Sequence, residues 1–155
     1  MSLLLNSTKI INEWTDYNNH MNLSFYILVF DRAAEKILSQ FKMGEEAAKK
    51  EKRSTMVVET HTTYNNEVKE GEDVEVFLSY FNHDKKRLHY KLEMYEKSKN
   101  VLSATTEVLA LYINLDLRKV AEFENEKIKI IDEFISKNNN AFKNDNLKFS
   151  SKLKK

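Results

Sequence analysis

The chain has 155 residues, a formal net charge of +1 and 41% hydrophobic residues, with two glycines and neither cysteine nor proline. This length indicates a single domain. Two isolated glycines exclude phosphate-binding loops, dinucleotide-binding motifs and serine-hydrolase elbows, because each of these needs clustered glycines. The lack of cysteine excludes thiol nucleophiles and thiolate zinc sites.

The first half of the chain is dominated by one amphipathic helix. Residues 8–13 have the composition of a short first strand, and a polar segment follows them. Apolar residues then recur at steps of three and four, which predicts a helix over residues 22–41. These apolar residues are Leu23, Ile27, Phe30, Ala34, Ile37 and Phe41. Gly44 is expected to end the helix in the left-handed conformation, and residues 45–53 to form a linker or a frayed helix.

From residue 54 onward, the pattern changes from helix to strand. Apolar and polar residues alternate in residues 73–83 and 86–97, whereas residues 101–115 are apolar and β-branched, as in a strand buried on both faces. Short polar segments at residues 70–72, 82–84 and 98–100 separate four consecutive strands after residue 54, and they predict that each strand is the antiparallel neighbour of the next. A last helix is predicted near residues 124–136. This order of elements indicates an α+β domain in which the long helix lies on an antiparallel sheet.

The C-terminal residues 143–155 contain five lysines and one aspartate, a net charge of +4. This composition is typical of a solvated, frayed terminus, and the alternative is a tether to nucleic acid or a membrane. The leucines at positions 3–5 are too few for a signal peptide, and no run approaches the ~18 apolar residues of a membrane span. We therefore expect a cytoplasmic protein with one domain over residues 1–136, a lysine-rich tail over residues 137–155, and no nucleic-acid or membrane partner.

Polar side chains concentrate between the first strand and the long helix, in residues 14–22. Asp16 offers a carboxylate and His20 an imidazole just before the first turn of the helix, whose unpaired N–H groups can hold an oxygen that gains negative charge. This combination fits acyl transfer, with Asp16 as general base or nucleophile. The alternative is an ordinary loop in which Asn22 caps the helix. The four histidines lack metal-binding spacing, so neither a metal nor another cofactor is expected.

Residues 14–33 resemble the opening motif of hotdog-fold acyl-CoA thioesterases of the 4-hydroxybenzoyl-CoA thioesterase-like group. The matching positions are Asp16, His20, Asn22, Tyr26 and Asp31. Asn19 stands where that group usually has glycine. Residues 59–72, 83–94 and 106–119 extend the resemblance over most of the chain. It implies an α+β hotdog fold, in which a five-stranded antiparallel sheet wraps around one long central helix.

Within this group, residues 13–22 and the later segment 83–89 are most similar to the betainyl-CoA thioesterases associated with carnitine breakdown. The resemblance implies a homodimer or homotetramer that hydrolyses a small acyl-CoA, with betainyl-CoA as the specific expectation. Asp16 would act at the thioester carbonyl, and the helix N-terminus around His20 and Asn22 would polarise the carbonyl oxygen. Tyr112 and Asn114 depart from this subgroup, which has His and Asp there.

Further site candidates follow from the resemblance and from the substrate that it implies. Glu59 and His61 share one strand face and are candidates for polar groups supplied by a partner subunit. Aromatic faces suit the quaternary ammonium group of betaine. The aromatic candidates are Trp14, Tyr17, Tyr26 and Tyr64. Core packing is the alternative for Trp14 and Tyr26, and Arg87 with the two lysines before it is the candidate contact for the CoA phosphates.

A second function remains open from the sequence: a non-catalytic module that binds acyl-CoA or an acyl carrier on the same scaffold. The departures at Asn19, Tyr112 and Asn114 favour this alternative, because substitutions near a site can accompany a loss of chemistry. Binding of CoA esters without turnover would distinguish it from an enzyme.

Overall fold

The segments of alternating apolar and polar residues form one antiparallel sheet in the computed structural model, which describes residues 2–155. Its strands are β1 (Leu3–Lys9), β2 (Arg53–Tyr64), β3 (Asp73–His83), β4 (Arg87–Glu96), β5 (Val101–Asn114) and β6 (Lys119–Val120). Their order across the sheet is β1-β3-β4-β5-β2, and the two-residue β6 pairs with β5. The predicted bounds of β3, β4 and β5 agree with the structure to within one residue.

Two predictions about the strands are wrong. The first strand spans Leu3–Lys9 rather than residues 8–13, because the apolar residues at its start pair with β3 and residues 12–14 form a short 3-10 helix. Successive strands are neighbours from β3 to β5, but β2 pairs with β5 instead of β3. As a result, β1 and β2 are the two edges of the sheet.

The predicted long helix is α1, Leu23–Gln40. Its buried residues Val29, Ala33 and Ile37 belong to the hydrophobic core with the side chains of the sheet. Leu23 and Ile27 were predicted on the same buried stripe, but they are 62% and 41% exposed. The first turns of α1 therefore present apolar side chains outside the core.

Gly44 does not end α1 in the left-handed conformation, as was predicted from the sequence. The left-handed residue is Lys42, with φ of 58°. Gly44 precedes a second helix, α2 (Glu45–Glu51), and a Cβ atom there would lie 2.6 Å from Ser39 Oγ and closer still to Glu35 Oε1. A Cβ atom on Gly44 would also lie 3.2 Å from the Cα of Ser39, so the close approach of the chain to α1 favours glycine here.

The lysine-rich C-terminal segment is not frayed, contrary to the expectation from composition. After α3 (Asn125–Asn138), the chain returns to the sheet. The backbone N–H groups of Lys148 and Phe149 donate to Glu107 at 2.8 Å, and that of Lys154 donates to Asp84 at 2.8 Å. Both carboxylates and the Phe149 side chain are buried. Main-chain hydrogen bonds therefore hold this segment, while most of its lysines remain exposed.

None of the helices formed by residues 2–155 combines the length and the apolar composition that crossing a membrane requires.

Candidate functional site

The loop between β1 and α1 carries the predicted motif and is held by its own backbone. Thr15 and Met21 form an isolated β-bridge, and the N–H of Asn22 donates to the carbonyl of Trp14 at 2.9 Å. Inside this loop, Asn19 has φ of 62°, a left-handed conformation that asparagine tolerates better than most residues other than glycine. Asn19 therefore adopts a backbone conformation that glycine, the residue expected here from the resemblance, also adopts readily.

Both carboxylate oxygens of Asp16 accept a hydrogen bond within the loop. Oδ1 accepts from the backbone N–H of Asn18 at 2.8 Å, and Oδ2 accepts from Asn22 Nδ2 at 3.0 Å. The bond from Asn22 first, and then that from Asn18, lowers the pKa of Asp16 below its usual value. The carboxylate is therefore ionised and oriented, and each oxygen keeps a lone pair for a water molecule or a substrate.

Asn22 caps α1 and also positions Asp16. Its Oδ1 accepts from the backbone N–H of Ser24 at 3.1 Å and from Ser24 Oγ at 2.7 Å, while Nδ2 donates to Asp16. The sequence offered helix capping and a functional site as alternatives for this loop. The Asn22 side chain fits both, because it caps α1 and also holds Asp16. Among residues 2–155, no acceptor takes the N–H of Leu23, so the helix start offers a donor with the positive end of the helix dipole behind it.

A cavity of about 380 Å³ opens beside Asp16, between the start of α1 and the chain that follows β2. Of the predicted site residues, this cavity brings together Asp16, His20, Asn22, Tyr26 and Tyr64. His20 Nδ1–H donates to the carbonyl of Met21 at 3.1 Å, and its Nε2 lies 3.9 Å from Glu67 Oε2. The rings of Tyr26 and Tyr64 meet edge to face at 5.3 Å, and burial raises the pKa of Tyr26.

The other two aromatic candidates do not line this cavity. Trp14 is buried and stacks on Phe25 with ring centroids 5.9 Å apart, and the Arg32 guanidinium lies 5.7 Å from its ring. This environment favours the packing alternative for Trp14, and its role in an aromatic cage stays a prediction. Tyr17 is 92% exposed and is not part of the cavity lining.

Within one chain, Glu59 and His61 are not brought to Asp16. Successive strand residues point to opposite faces, and Thr60 between them lines the face of β2 toward α1. His61 lines a separate cavity of about 310 Å³ with Lys148 of the C-terminal segment, and Lys152 Nζ lies 3.9 Å from Glu59 Oε2. Their expected contribution to a partner's site stays a prediction.

Arg87 lies at the opposite end of the sheet from the cavity. It begins β4 next to Leu111 of β5, whereas the cavity borders the end of β2 at Tyr64. Arg87 Nη1 is 3.0 Å from Asp84 Oδ2, so its guanidinium already has a carboxylate partner within the chain. The structure gives no support to a phosphate contact here.

The two departures on β5 also lie at this distant end of the sheet. Tyr112 is buried, its hydroxyl donates to Glu124 at 2.7 Å, and burial raises its pKa to about 12. Asn114 Oδ1 accepts from the backbone N–H groups of Asp116 and Leu117. Because both side chains have structural partners away from Asp16, neither departure indicates lost chemistry at the cavity.

A second cavity, of about 540 Å³, lies between α1 and β2 and was missed in the sequence. Its lining includes Ile27, Asp31, Val57, Thr60, Tyr90 and Val108. One signal for it is visible in retrospect: residues 56–58 are three consecutive apolar residues in a strand and are all exposed. We refer to this cavity as the α1–β2 groove.

Among residues 2–155, no three histidine, aspartate or glutamate side chains come together in a way that would hold a metal ion.

Comparison with known proteins identifies the family. Residues 12–135 match the family model described as the thioesterase-like superfamily. The chain is 34% identical to the betainyl-CoA thioesterase of Pseudomonas aeruginosa over 119 residues, which cover 77% of this chain and 75% of that protein. It is also 29% identical to an L-carnitine dehydrogenase/betainyl-CoA thioesterase of Rhizobium meliloti, covering 72% of this chain and 22% of that longer protein.

Solved structures show the same fold. A hypothetical protein from Staphylococcus aureus in complex with CoA superposes with a TM-score of 0.82 at 22% identity, covering 100% of this chain and 96% of that one. A 1,4-dihydroxy-2-naphthoyl-CoA thioesterase from Synechocystis gives a TM-score of 0.72 at 15% identity, covering 83% and 94% of the two chains. The expected α+β hotdog fold, a curled antiparallel sheet with helices, is confirmed. The chain belongs to the thioesterase-like superfamily.

Proposed function

We propose that this protein is an acyl-CoA thioesterase that hydrolyses a small acyl-CoA, with betainyl-CoA as its substrate. The observation that carries the proposal is the ionised carboxylate of Asp16, held by two hydrogen bonds beside a cavity at the start of α1. The choice of betainyl-CoA is supported by the 34% identity to a protein named betainyl-CoA thioesterase.

In this proposal, the thioester carbonyl lies at the N-terminus of α1. The N–H of Leu23 and the helix dipole polarise the carbonyl oxygen and stabilise the negative charge that it gains. Asp16 either takes a proton from an attacking water molecule or attacks the carbonyl carbon itself. In the first route, the new carbon–oxygen bond replaces the carbon–sulfur bond, and the sulfur leaves as the thiol of CoA with the proton that Asp16 took from water. In the second route, the bond from Asp16 replaces the carbon–sulfur bond, and CoA leaves as a thiolate. Water then hydrolyses the resulting anhydride, which regenerates the Asp16 carboxylate and releases the proton that the thiolate takes up.

We propose that two copies of the chain pair through β2. Met56, Val57 and Val58 are 39%, 54% and 52% exposed on this edge strand. An exposed apolar edge is an unusual feature in a monomer and pairs readily with another strand. Such a dimer joins two sheets, with α1 as the central helix wrapped by the long strands of each subunit, and sets the α1–β2 groove next to the partner.

A panel of CoA esters tests the proposed activity through the release of free thiol, followed with a colorimetric thiol reagent. We expect turnover of betainyl-CoA, with slower turnover of acetyl-CoA and benzoyl-CoA. Binding of the esters without release of thiol from any of them would contradict the proposal and favour the non-catalytic module. Preference for a neutral acyl group would leave the thioesterase proposal standing and overturn the choice of betainyl-CoA.

A further inference from the structure

The α1–β2 groove contains a carboxylate that has no ionic partner within the described chain. Asp31 projects from α1 into the lining of this cavity. Among residues 2–155, no side-chain hydrogen bond or ion pair includes it, although the chain has 24 acidic and 25 basic residues with which to form such pairs. The side chain is exposed at the groove.

The surroundings of Asp31 are mainly apolar. Phe30, Ala34, Leu92 and Val108 contribute to the walls, and Tyr90 is buried among them. Burial first, and then the negative charge of Asp31, raises the pKa of Tyr90 well above its usual value. The charge of Asp31 therefore acts on the interior of the groove, where an unpaired anion gains most from a nearby cation.

This combination of one negative charge and apolar walls matches a particular kind of ligand. A primary ammonium or guanidinium group needs hydrogen-bond acceptors on several sides. Besides Asp31, the groove offers only the hydroxyls of Ser24, Thr60, Tyr90 and Thr106 among mainly apolar walls. A quaternary ammonium group has a positive charge but no hydrogen-bond donor, and its methyl groups suit apolar and aromatic walls. The groove thus fits a small cation with an apolar surface.

The groove and the cavity beside Asp16 follow each other along α1. Leu23 and Tyr26 line the cavity, and their neighbours Ser24 and Ile27 line the groove. Asp31 is eight residues from the start of α1, or about 12 Å along the axis, and its side chain leans back toward the helix N-terminus. A betainyl group whose carbonyl lies at the helix start therefore places its ammonium at the near end of the groove, beside Ser24 and Ile27, with Asp31 farther along the same wall.

We propose that Asp31 is the residue that makes the enzyme select a cationic acyl group, with the quaternary ammonium seated in the α1–β2 groove and Asp31 as its counter-ion. This inference rests on the proposed function and deepens it, because it assigns charge selectivity to one side chain. It also offers an alternative to the aromatic cage expected at Trp14, Tyr17, Tyr26 and Tyr64, none of which lines the groove.

The test compares two esters that have the same shape and differ in charge: betainyl-CoA and 3,3-dimethylbutyryl-CoA, in which a carbon atom replaces the ammonium nitrogen. Their dissociation constants are measured by calorimetry in the Asp16→Asn background, so that hydrolysis does not consume the ligand. Asp31→Asn is then added to that background. Asp145→Asn, an equal change in net charge on the C-terminal segment, is the matched control.

We expect Asp31→Asn to weaken the binding of betainyl-CoA roughly fivefold, as the loss of one charge pair at about 8 Å predicts in a partly solvated site. The binding of 3,3-dimethylbutyryl-CoA should change less than about twofold, and Asp145→Asn should affect neither ester. Equal effects on the two esters, or no effect on either, would overturn the inference.

Two further outcomes separate this inference from the proposed function. Charge-selective binding that Asp31→Asn abolishes, in a protein without turnover, would support the inference and contradict the proposed hydrolysis. A weaker dimer with equal changes for both esters would show that Asp31 pairs with a cation of the partner subunit, which would overturn the inference.

Discussion

At the scale of single residues, Asn22 links the fold to the proposed chemistry. The same amide group accepts from the backbone N–H of Ser24 in the first turn of α1 and donates to Asp16. Sequence reasoning found Asp16, His20 and Asn22 because they are close together along the chain. It could not place Tyr64, which reaches this cavity from the end of a distant strand, nor recognise that Trp14 packs against Phe25.

Asn22→Asp tests how Asp16 is kept ionised. Aspartate still caps the helix, but it replaces the donor to Asp16 with a like charge. The pKa of Asp16, now lowered mainly by Asn22, should rise, so that Asp16 takes up its proton at a higher pH. We expect the acidic limb of the pH profile of kcat/KM to move to higher pH.

The matched control for this change is Asn22→Ser, which keeps the cap but adds no charge and should shift the acidic limb in the same direction by less. Thermal unfolding at each pH identifies any loss of the fold. An acidic limb that stays in place in both variants would contradict the role given to Asn22.

At the scale of elements, β2 shows how a local irregularity limits prediction. A bulge interrupts its pairing with β5 between Val57 and Glu59, so Val57 and Thr60 line the same groove although simple alternation would place them on opposite faces. The pairing of β2 with β5 was equally hidden, because it joins segments far apart in the sequence. The helices and the strands β3 to β5, by contrast, follow from local periodicity.

Val58→Lys tests the proposed pairing through β2. Val58 is 52% exposed, and a lysine there would place two like charges against each other in a symmetric dimer. We expect the mass measured by light scattering to fall from that of a dimer to that of a monomer. Leu4→Lys, at a residue 54% exposed on the other edge strand, is the control and should leave the dimer intact. The same mass for wild type and both variants would contradict pairing through β2.

At the scale of the whole molecule, the C-terminal segment is part of the folded unit. Its lysines suggested a solvated tail, but its backbone N–H groups and Phe149 attach it to the sheet. Composition cannot predict such an attachment, because every residue other than proline carries a backbone N–H group. Glu107 is the centre of this attachment, since it also accepts from His89 Nε2 at 2.7 Å. Burial opposes the charge of Glu107, but the N–H groups of Lys148 and Phe149 and the bond from His89 outweigh it and lower the pKa.

Glu107→Gln should therefore weaken the attachment of this segment and the stability of the whole chain. We expect the free energy of unfolding by urea at pH 7 to fall by about 2 kcal/mol. Because the pKa of Glu107 is lower in the folded state, its stabilising effect is complete above the unfolded value and is lost as the pH falls through the folded value. The variant should lose less stability than the wild type on acidification below pH of about 4.5.

Removal of residues 143–155 provides the control. In the shortened chain, Glu107→Gln should lower the free energy of unfolding by less than it does in the full chain. An equal decrease in the free energy of unfolding in both chains would show that Glu107 does not act through the C-terminal segment.

The most direct test of the central claim is the effect of Asp16→Asn on the hydrolysis of betainyl-CoA. Asparagine has almost the same shape but can neither accept a proton nor attack the thioester. We predict that kcat falls at least roughly 100-fold, while the KM for betainyl-CoA changes by less than about threefold. A variant whose kcat stays within about threefold of the wild-type value would contradict the assignment of the chemistry to Asp16.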